Sequence, residues 1–226
     1  MQEFLSTYFP NVVGKLPDFY KSIWETFEMV GKAGLISFFI GLVIGIVLTI
    51  TKKGGIMQNT VVYQVFDKVI NFFRSIPFII LLAGLIPLTR IISGTAIGTK
   101  GVIVPLVFGT VPFFARQIES ALAELDAGLI EAAQSMGTGN LEIIFRVYLK
   151  ECIPGIVRAT TITAISLIGL TAMAGAVGAG GLGDFAIRFG YQRNQTDVTY
   201  AAVIVLVILV SVIQLVGNFI SKKSTH

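Results

Sequence analysis

Residues 33–51 read AGLISFFIGLVIGIVLTIT and carry no charged side chain. About 20 such residues cross the hydrocarbon core of a bilayer as a helix, and in that medium every backbone donor and acceptor must find its partner inside the protein. The chain repeats this pattern. Residues 159–183, ATTITAISLIGLTAMAGAVGAGGLG, are uncharged, and residues 198–221 form a last apolar run closed by Lys222-Lys223. Only 13% of the 226 residues are charged and the mean hydropathy is +0.82, against about 25% charged residues in soluble domains. The chain is read as an all-α integral membrane protein.

Two further spans bring the expected number to about five. Residues 58–74 alternate Asp67, Lys68 and Arg74 with Val61, Val65, Val69 and Phe73, an amphipathic start that runs into the apolar residues 75–89. Pro77 predicts a kink there. Residues 101–115, GVIVPLVFGTVPFFA, form the third span, and Arg116 and Glu119 just beyond it are spaced to pair on one helix face. Gly41 and Gly45 form a G-x-x-x-G pair in the first span that admits another helix closely. The first 32 residues hold Glu3, Asp18, Glu25 and Glu28, unlike a secretory signal. Residues 1–21 are read as a tail, with the first helix joined from about Ser22 and the membrane domain covering 22–226.

Lys52-Lys53 follows the first span and Lys222-Lys223 the last. With five spans these flanks share a side, and the bias of basic residues to the cytoplasm makes it the inner one. Lys21 and Lys32 pull the other way. The N-terminus is then outside and the C-terminus cytoplasmic. The net charge of +4 reads as this topology signal, since no soluble domain exists to present a nucleic-acid surface.

Several chemistries are excluded. Cys152 is the only cysteine and His226 the only histidine, so an intrachain disulfide and a zinc site of several His and Cys ligands cannot form. Cys152 is read as a small buried hydrophobe. Gly31-Lys32-Ala33 lacks the glycine spacing of a P-loop, and neither H-E-x-x-H nor G-x-S-x-G occurs. Gly178-x-Gly180-x-x-Gly183, with Asp197 downstream, matches the dinucleotide fingerprint in form. That fingerprint requires a preceding strand, and an apolar helix precedes it here. The glycines and alanines fit close packing better: Ala172, Ala176 and Gly180 recur every four residues, as do Gly175, Ala179 and Gly183, two stripes suited to a crowded site near a dimer axis. Met173 is the one long flexible side chain among them, a candidate gate if two copies meet across that axis, or an ordinary gap-filler in a core.

The longest polar-rich interruption is 126–154, DAGLIEAAQSMGTGNLEIIFRVYLKECIP. Asp126 is a candidate N-cap for a helix carrying Leu129, Ile130, Ala133 and Met136. Gly137 stands where a helix ends in the left-handed conformation. Asn140 is placed to cap a second helix, with Glu142 in its first turn and Leu141, Ile144, Phe145 and Tyr148 as its apolar stripe. A helix, a glycine turn and a helix between spans point to a docking partner.

Glu131-Ala132-Ala133, then Gly137 three residues on, then Val147-Tyr148-Leu149 resembles the signature E-A-A, three residues, G, nine residues, I-x-L-P of ABC importer permeases. Val147 stands for Ile, and Lys150 stands where the pattern has Pro. Residues 74–82 (RSIPFIILL), 128–132 (GLIEA) and 175–183 (GAVGAGGLG) look like the methionine-importer branch, so the resemblance runs from about residue 22 onward. It implies a type I ABC importer fold in a bacterial plasma membrane, working as a homodimer in membrane lipid. It implies two cytoplasmic ATPase subunits engaged through Glu131, Ala132, Ala133 and Gly137, an extracytoplasmic methionine-binding protein, and methionine as cargo. The chain itself would be no enzyme and hold no cofactor, ATP and Mg residing on the partner ATPase. The alternatives are a permease for another small amino acid and an ATP-independent secondary carrier. The absence of ionisable residues from the last two apolar runs weighs against ion coupling.

Overall fold

The computed structural model describes residues 8–224. It contains the helices α1 (Pro10–Val13), α2 (Leu16–Thr51), α3 (Thr60–Ser75), α4 (Phe78–Gly84), α5 (Ile86–Ser93) and α6 (Gly98–Ala123). These are followed by α7 (Ala127–Ser135), α8 (Asn140–Ile143), α9 (Leu149–Glu151), α10 (Ile153–Gly175), α11 (Gly181–Phe185) and α12 (Thr196–Ser224). Wider π-type turns cover Ile144–Tyr148 and Ala186–Tyr191, and no strand occurs among the described residues. Among the described residues four helices, α2, α6, α10 and α12, are long and apolar enough to cross a membrane.

The second expected span is broken into α3, α4 and α5. Asn59 caps α3 by accepting a hydrogen bond from the Val62 N–H. Ile76 then takes an extended conformation (φ −87°, ψ 122°), as the residue before a proline prefers, and Pro77 restarts the chain. A second proline, Pro87, lies in the first turn of α5, where its missing N–H costs no helical bond.

The chain divides into two compact units. One holds the residues up to Leu35, Pro77–Phe108 and Ala164–Ile213, and the other Ile36–Ile76, Gly109–Thr163 and the residues from Gln214 on. The first unit has a core of Val12, Leu182, Phe185, Phe189, Val198, Ala201 and Ala202, with Phe19 and Ile23 of α2 packed on it. This corrects the expected tail at 1–21. Helix α2 begins at Leu16 rather than near Ser22. Asn11 donates its backbone N–H and its side-chain amide to the Asp197 carboxylate at 2.9 and 3.0 Å. Residues 1–7 of that stretch lie outside the described residues.

In the second unit Phe114, Ile118, Leu122, Ala133, Ile143, Tyr148, Cys152 and Ala159 form the core. The glycine pair of α2 acts as its spacing predicts. A Cβ at Gly41 would fall 2.7 Å from Phe114 Cδ1, and one at Gly45 2.6 Å from Ile118 Cβ and Cγ2. Only glycine admits α6 that closely. Arg116 on α6 pairs with Glu119, as the spacing predicts, and with Asp67 of α3, both at 2.6 Å, while Tyr63 donates to Glu119 at 3.3 Å. Asp67, one of the charges that made residues 58–74 look amphipathic, therefore ties α3 to α6.

Candidate functional site

The loop 126–154 folds from its own sequence signals. Asp126 Oδ1 accepts from the Gly128 N–H at 2.7 Å and caps α7. At the other end Gly137 adopts φ +76°. The Gly137 N–H donates to Gln134 O at 2.9 Å and the Thr138 N–H to Ala133 O at 3.1 Å. This pair of bonds satisfies carbonyls that the helix end leaves open and requires a left-handed residue at the turn. Helix α8 starts at Asn140 itself, with Gly139 as the residue before it and no side-chain cap. The expected Asn140 cap is thus shifted by one position, and Asn140 lies inside the first turn. Glu142 lies there as expected and pairs with Arg146 at 2.7 Å.

The two helices split their apolar residues between core and solvent. Ala133, Ile143, Ile144 and Tyr148 are buried in the second unit. Leu129, Met136, Leu141 and Phe145 are exposed, Met136 by 77% and Phe145 by 66%. The stripe expected on the second helix is therefore divided, Ile144 and Tyr148 inward and Leu141 and Phe145 outward. Glu131 and Ala132 are also exposed, and the Glu131 carboxylate makes no ion pair among the described residues. Of the predicted coupling residues, Ala133 anchors α7 to the core, Gly137 ends it, and Glu131 with Ala132 faces outward. An exposed apolar set of this kind marks a contact with a protein partner or with the membrane.

The departure at Lys150 has a local account. The π-type turn at Ile144–Tyr148 widens the helix, α9 ends at Cys152 (φ −90°, ψ 11°), and α10 begins at Ile153 with Pro154 in its first turn. The helix breaks at Cys152, and Pro154 supplies the fixed φ that starts the new helix. Lys150 is exposed. Burial, with Glu124 and Glu151 nearby, pushes the Cys152 thiol up to about 11, consistent with its reading as a packed hydrophobe.

The glycine-rich stretch differs from expectation. The two four-residue stripes assume one helix through residue 183, but α10 ends at Gly175 and the chain turns through Gly178, Gly180 and Gly181, all at positive φ. A Cβ on Gly175 would lie 2.8 Å from the Gly183 carbonyl carbon and 2.9 Å from Gly180 O. The close packing predicted for Gly175, Gly180 and Gly183 is thus a chain reversal within the first unit. Ala179 is buried there, Ala172 is partly buried and Ala176 exposed. Glu25 and Thr26 of α2 accept the Gly181 and Leu182 N–H groups at 2.8 and 2.9 Å and so satisfy the start of α11. Met173, just before the reversal, is 43% exposed on α10. The pairing of Glu25 with Gly181 had no local signal, because its partners are 156 residues apart.

The features assembled here, apolar helices crossing a membrane and a helix–glycine–helix loop presenting an unpaired face, match a known class along most of the chain. Residues 41–224 fit the family of binding-protein-dependent transport system inner membrane components, and the chain belongs to that family. It is 45% identical over 203 residues to a probable D-methionine transport system permease protein of Vibrio cholerae, covering 90% of each chain. It is 44% identical over 215 residues to a methionine import system permease protein of Bacillus subtilis, covering 95% of this chain and 96% of that one. A solved inward-facing structure of the MetNI methionine ABC transporter superposes with a TM-score of 0.92 at 44% identity, over 94% of this chain and 99% of that one.

Proposed function

We propose that this chain is the membrane subunit of an ATP-driven importer whose cargo is methionine. The observation that carries the reading is the outward face of the loop helices: Leu129, Glu131, Ala132 and Met136 on α7, with Leu141 and Phe145 beyond Gly137, exposed on a rigidly capped scaffold. The paired lysines at 52–53 and 222–223 support a cytoplasmic loop and C-terminus and an outer N-terminus, with the broken segment α3–α5 completing the fifth crossing. A cytoplasmic ATPase then seats on the loop, burying the apolar side chains and meeting Glu131 with a basic group. Two copies of this chain enclose the pathway and bring two loops to two ATPases, which hold the ATP and Mg. A binding protein delivers methionine from the outer side. ATP-driven closure of the ATPases moves the loops and rocks the membrane helices between inward- and outward-facing states, with Met173 of each copy narrowing the closed pathway. The similarity to methionine permeases at 44–45% identity supports the cargo.

The docking is tested by cysteine cross-linking to the co-expressed ATPase. A cysteine at Met136 is expected to form an adduct, and one at Phe219, exposed on α12, to form none. No adduct at positions 129, 136, 141 or 145 would refute the seat.

A further inference from the structure

A polar groove of about 130 Å³ lies within the second unit, between the end of α6 and the start of α10. Gln117, Ser120 and Glu124 line it from one side and Arg158 from the other. Close helix approach builds it, since a Cβ at Gly155 would sit 3.2 Å from that of Ala121. Arg158 Nη2 donates to Glu124 Oε2 at 3.2 Å, and the two side chains are 60% and 66% exposed. Neither makes another hydrogen bond or ion pair among the described residues. A solvent-exposed pair of this kind contributes about 0–1 kcal/mol to a fold, so stability does not account for it.

Its place on the helix is informative. Arg158 stands in the second turn of a helix long and apolar enough to span, where a charged head either reaches the membrane interface or lines a water-filled cavity. At helical spacing Arg158 shares its face with Ile162, Gly169 and Met173, all exposed, and a Cβ at Gly169 would meet nothing within 4 Å. The exposed face of α12, with Val203, Val207, Leu215 and Phe219, is what lipid selects. The α10 face, with a charge and a glycine, is suited to a polar path.

We propose that Glu124 and Arg158 bind the ammonium and carboxylate groups of a zwitterionic amino-acid cargo at the loop-side mouth of the pathway, with Gln117 adding a polar contact. This rests on the importer reading above. The geometry selects the zwitterion. A simple cation entering the groove meets Arg158 and a simple anion meets Glu124. An α-amino acid, whose opposite charges are held on one carbon, exchanges the single Arg–Glu contact for two charge-assisted ones.

The test uses the assembled transporter carrying Ser120→Cys, with the exposed groove position as reporter and the buried Cys152 as a silent background. Millimolar methionine is expected to slow alkylation at position 120. Methioninol, which lacks the carboxylate, and 3-(methylthio)propanoate, which lacks the ammonium, are expected not to. The double variant Glu124→Gln/Arg158→Gln, which leaves no charge unpaired, is expected to lose the protection and to lower ATP-driven uptake roughly tenfold, as the loss of one charged hydrogen bond does. Alkylation indifferent to methionine, or wild-type uptake by the double variant, would overturn this site while leaving the importer reading intact. A wild-type assembly that moves no amino acid would overturn both.

Discussion

Gly45→Ala should weaken the protein although alanine is the better helix former. The new Cβ would fall 2.6 Å from both Ile118 Cβ and Cγ2 and 2.8 Å from the Ala115 carbonyl oxygen. Ile118 is fully buried and the third contact is backbone, so neither neighbour can swing aside. Overpacking of this kind costs about 1–3 kcal/mol, and the helix gain from glycine to alanine offsets about 0.5–1 kcal/mol of it. The mid-range values leave a net loss of about 1.3 kcal/mol. At about 2–4 °C per kcal/mol for a chain of this size, the melting temperature should fall by about 3–5 °C. Two glycines of the same helix calibrate the effect. At Gly34 a Cβ meets only Leu167 Cδ2 at 3.4 Å, and at Gly31 it meets nothing within 4 Å. Gly34→Ala should be near neutral and Gly31→Ala neutral to slightly stabilising. The buried Cys152 makes the assay direct, because a thiol-reactive coumarin dye reports its exposure on heating in detergent. A Gly45→Ala variant that melts with or above Gly31→Ala would refute the claim that α6 packs against the bare backbone at 45.

Glu131→Arg should reduce co-purification of the ATPase and cargo uptake together while leaving the melting temperature unchanged, since Glu131 is exposed and makes no ion pair among the described residues; unchanged co-purification and uptake would remove it from the seat. Met173→Cys should form a disulfide between two copies of the chain in the closed resting state, with positions elsewhere on α10, such as Ile162→Cys about three turns away, as the comparison; failure to cross-link only at 173 would sink the gate. Cys152, whose thiol burial pushes up to about 11, should alkylate slowly in the folded protein. The thiolate is the reactive form and at pH 8 amounts to on the order of one part in a thousand, so the rate should rise about tenfold per pH unit toward 11; fast labelling at pH 8 would contradict the packing around it.

The sequence and the structure agree where the governing signal is local. Asp126, Gly137 and Glu142 each act through neighbours within a turn or two, and each does what its residue type implies. The Arg116–Glu119 pair and the Gly41–Gly45 notch were legible because helical periodicity alone brings them into register. Signals of hydropathy defined the membrane class but not where helices break. Residues 75–89 and 159–183 look continuous by composition, yet Pro77, Pro87 and the positive-φ glycines interrupt them. The small-residue stripes of 172–183 were read on a helix that ends at Gly175, so the same glycines serve a turn. The division of the loop's apolar residues into an inner and an outer set was not visible either, because periodicity marks the stripe but not which part of it the fold covers. Contacts such as Asn11 with Asp197 and Glu25 with Gly181 join segments far apart in the chain, and their partners are fixed only by the fold.

In the proposed function, ATP consumed by a separate subunit drives cargo through this chain. The most direct measurement is methionine accumulation in proteoliposomes holding the chain, its ATPase and its binding protein, each omitted in turn. Accumulation against a gradient that requires ATP and all three proteins is the predicted result. Uptake by the chain alone, indifferent to ATP, would contradict the account and return the chain to the class of secondary carriers.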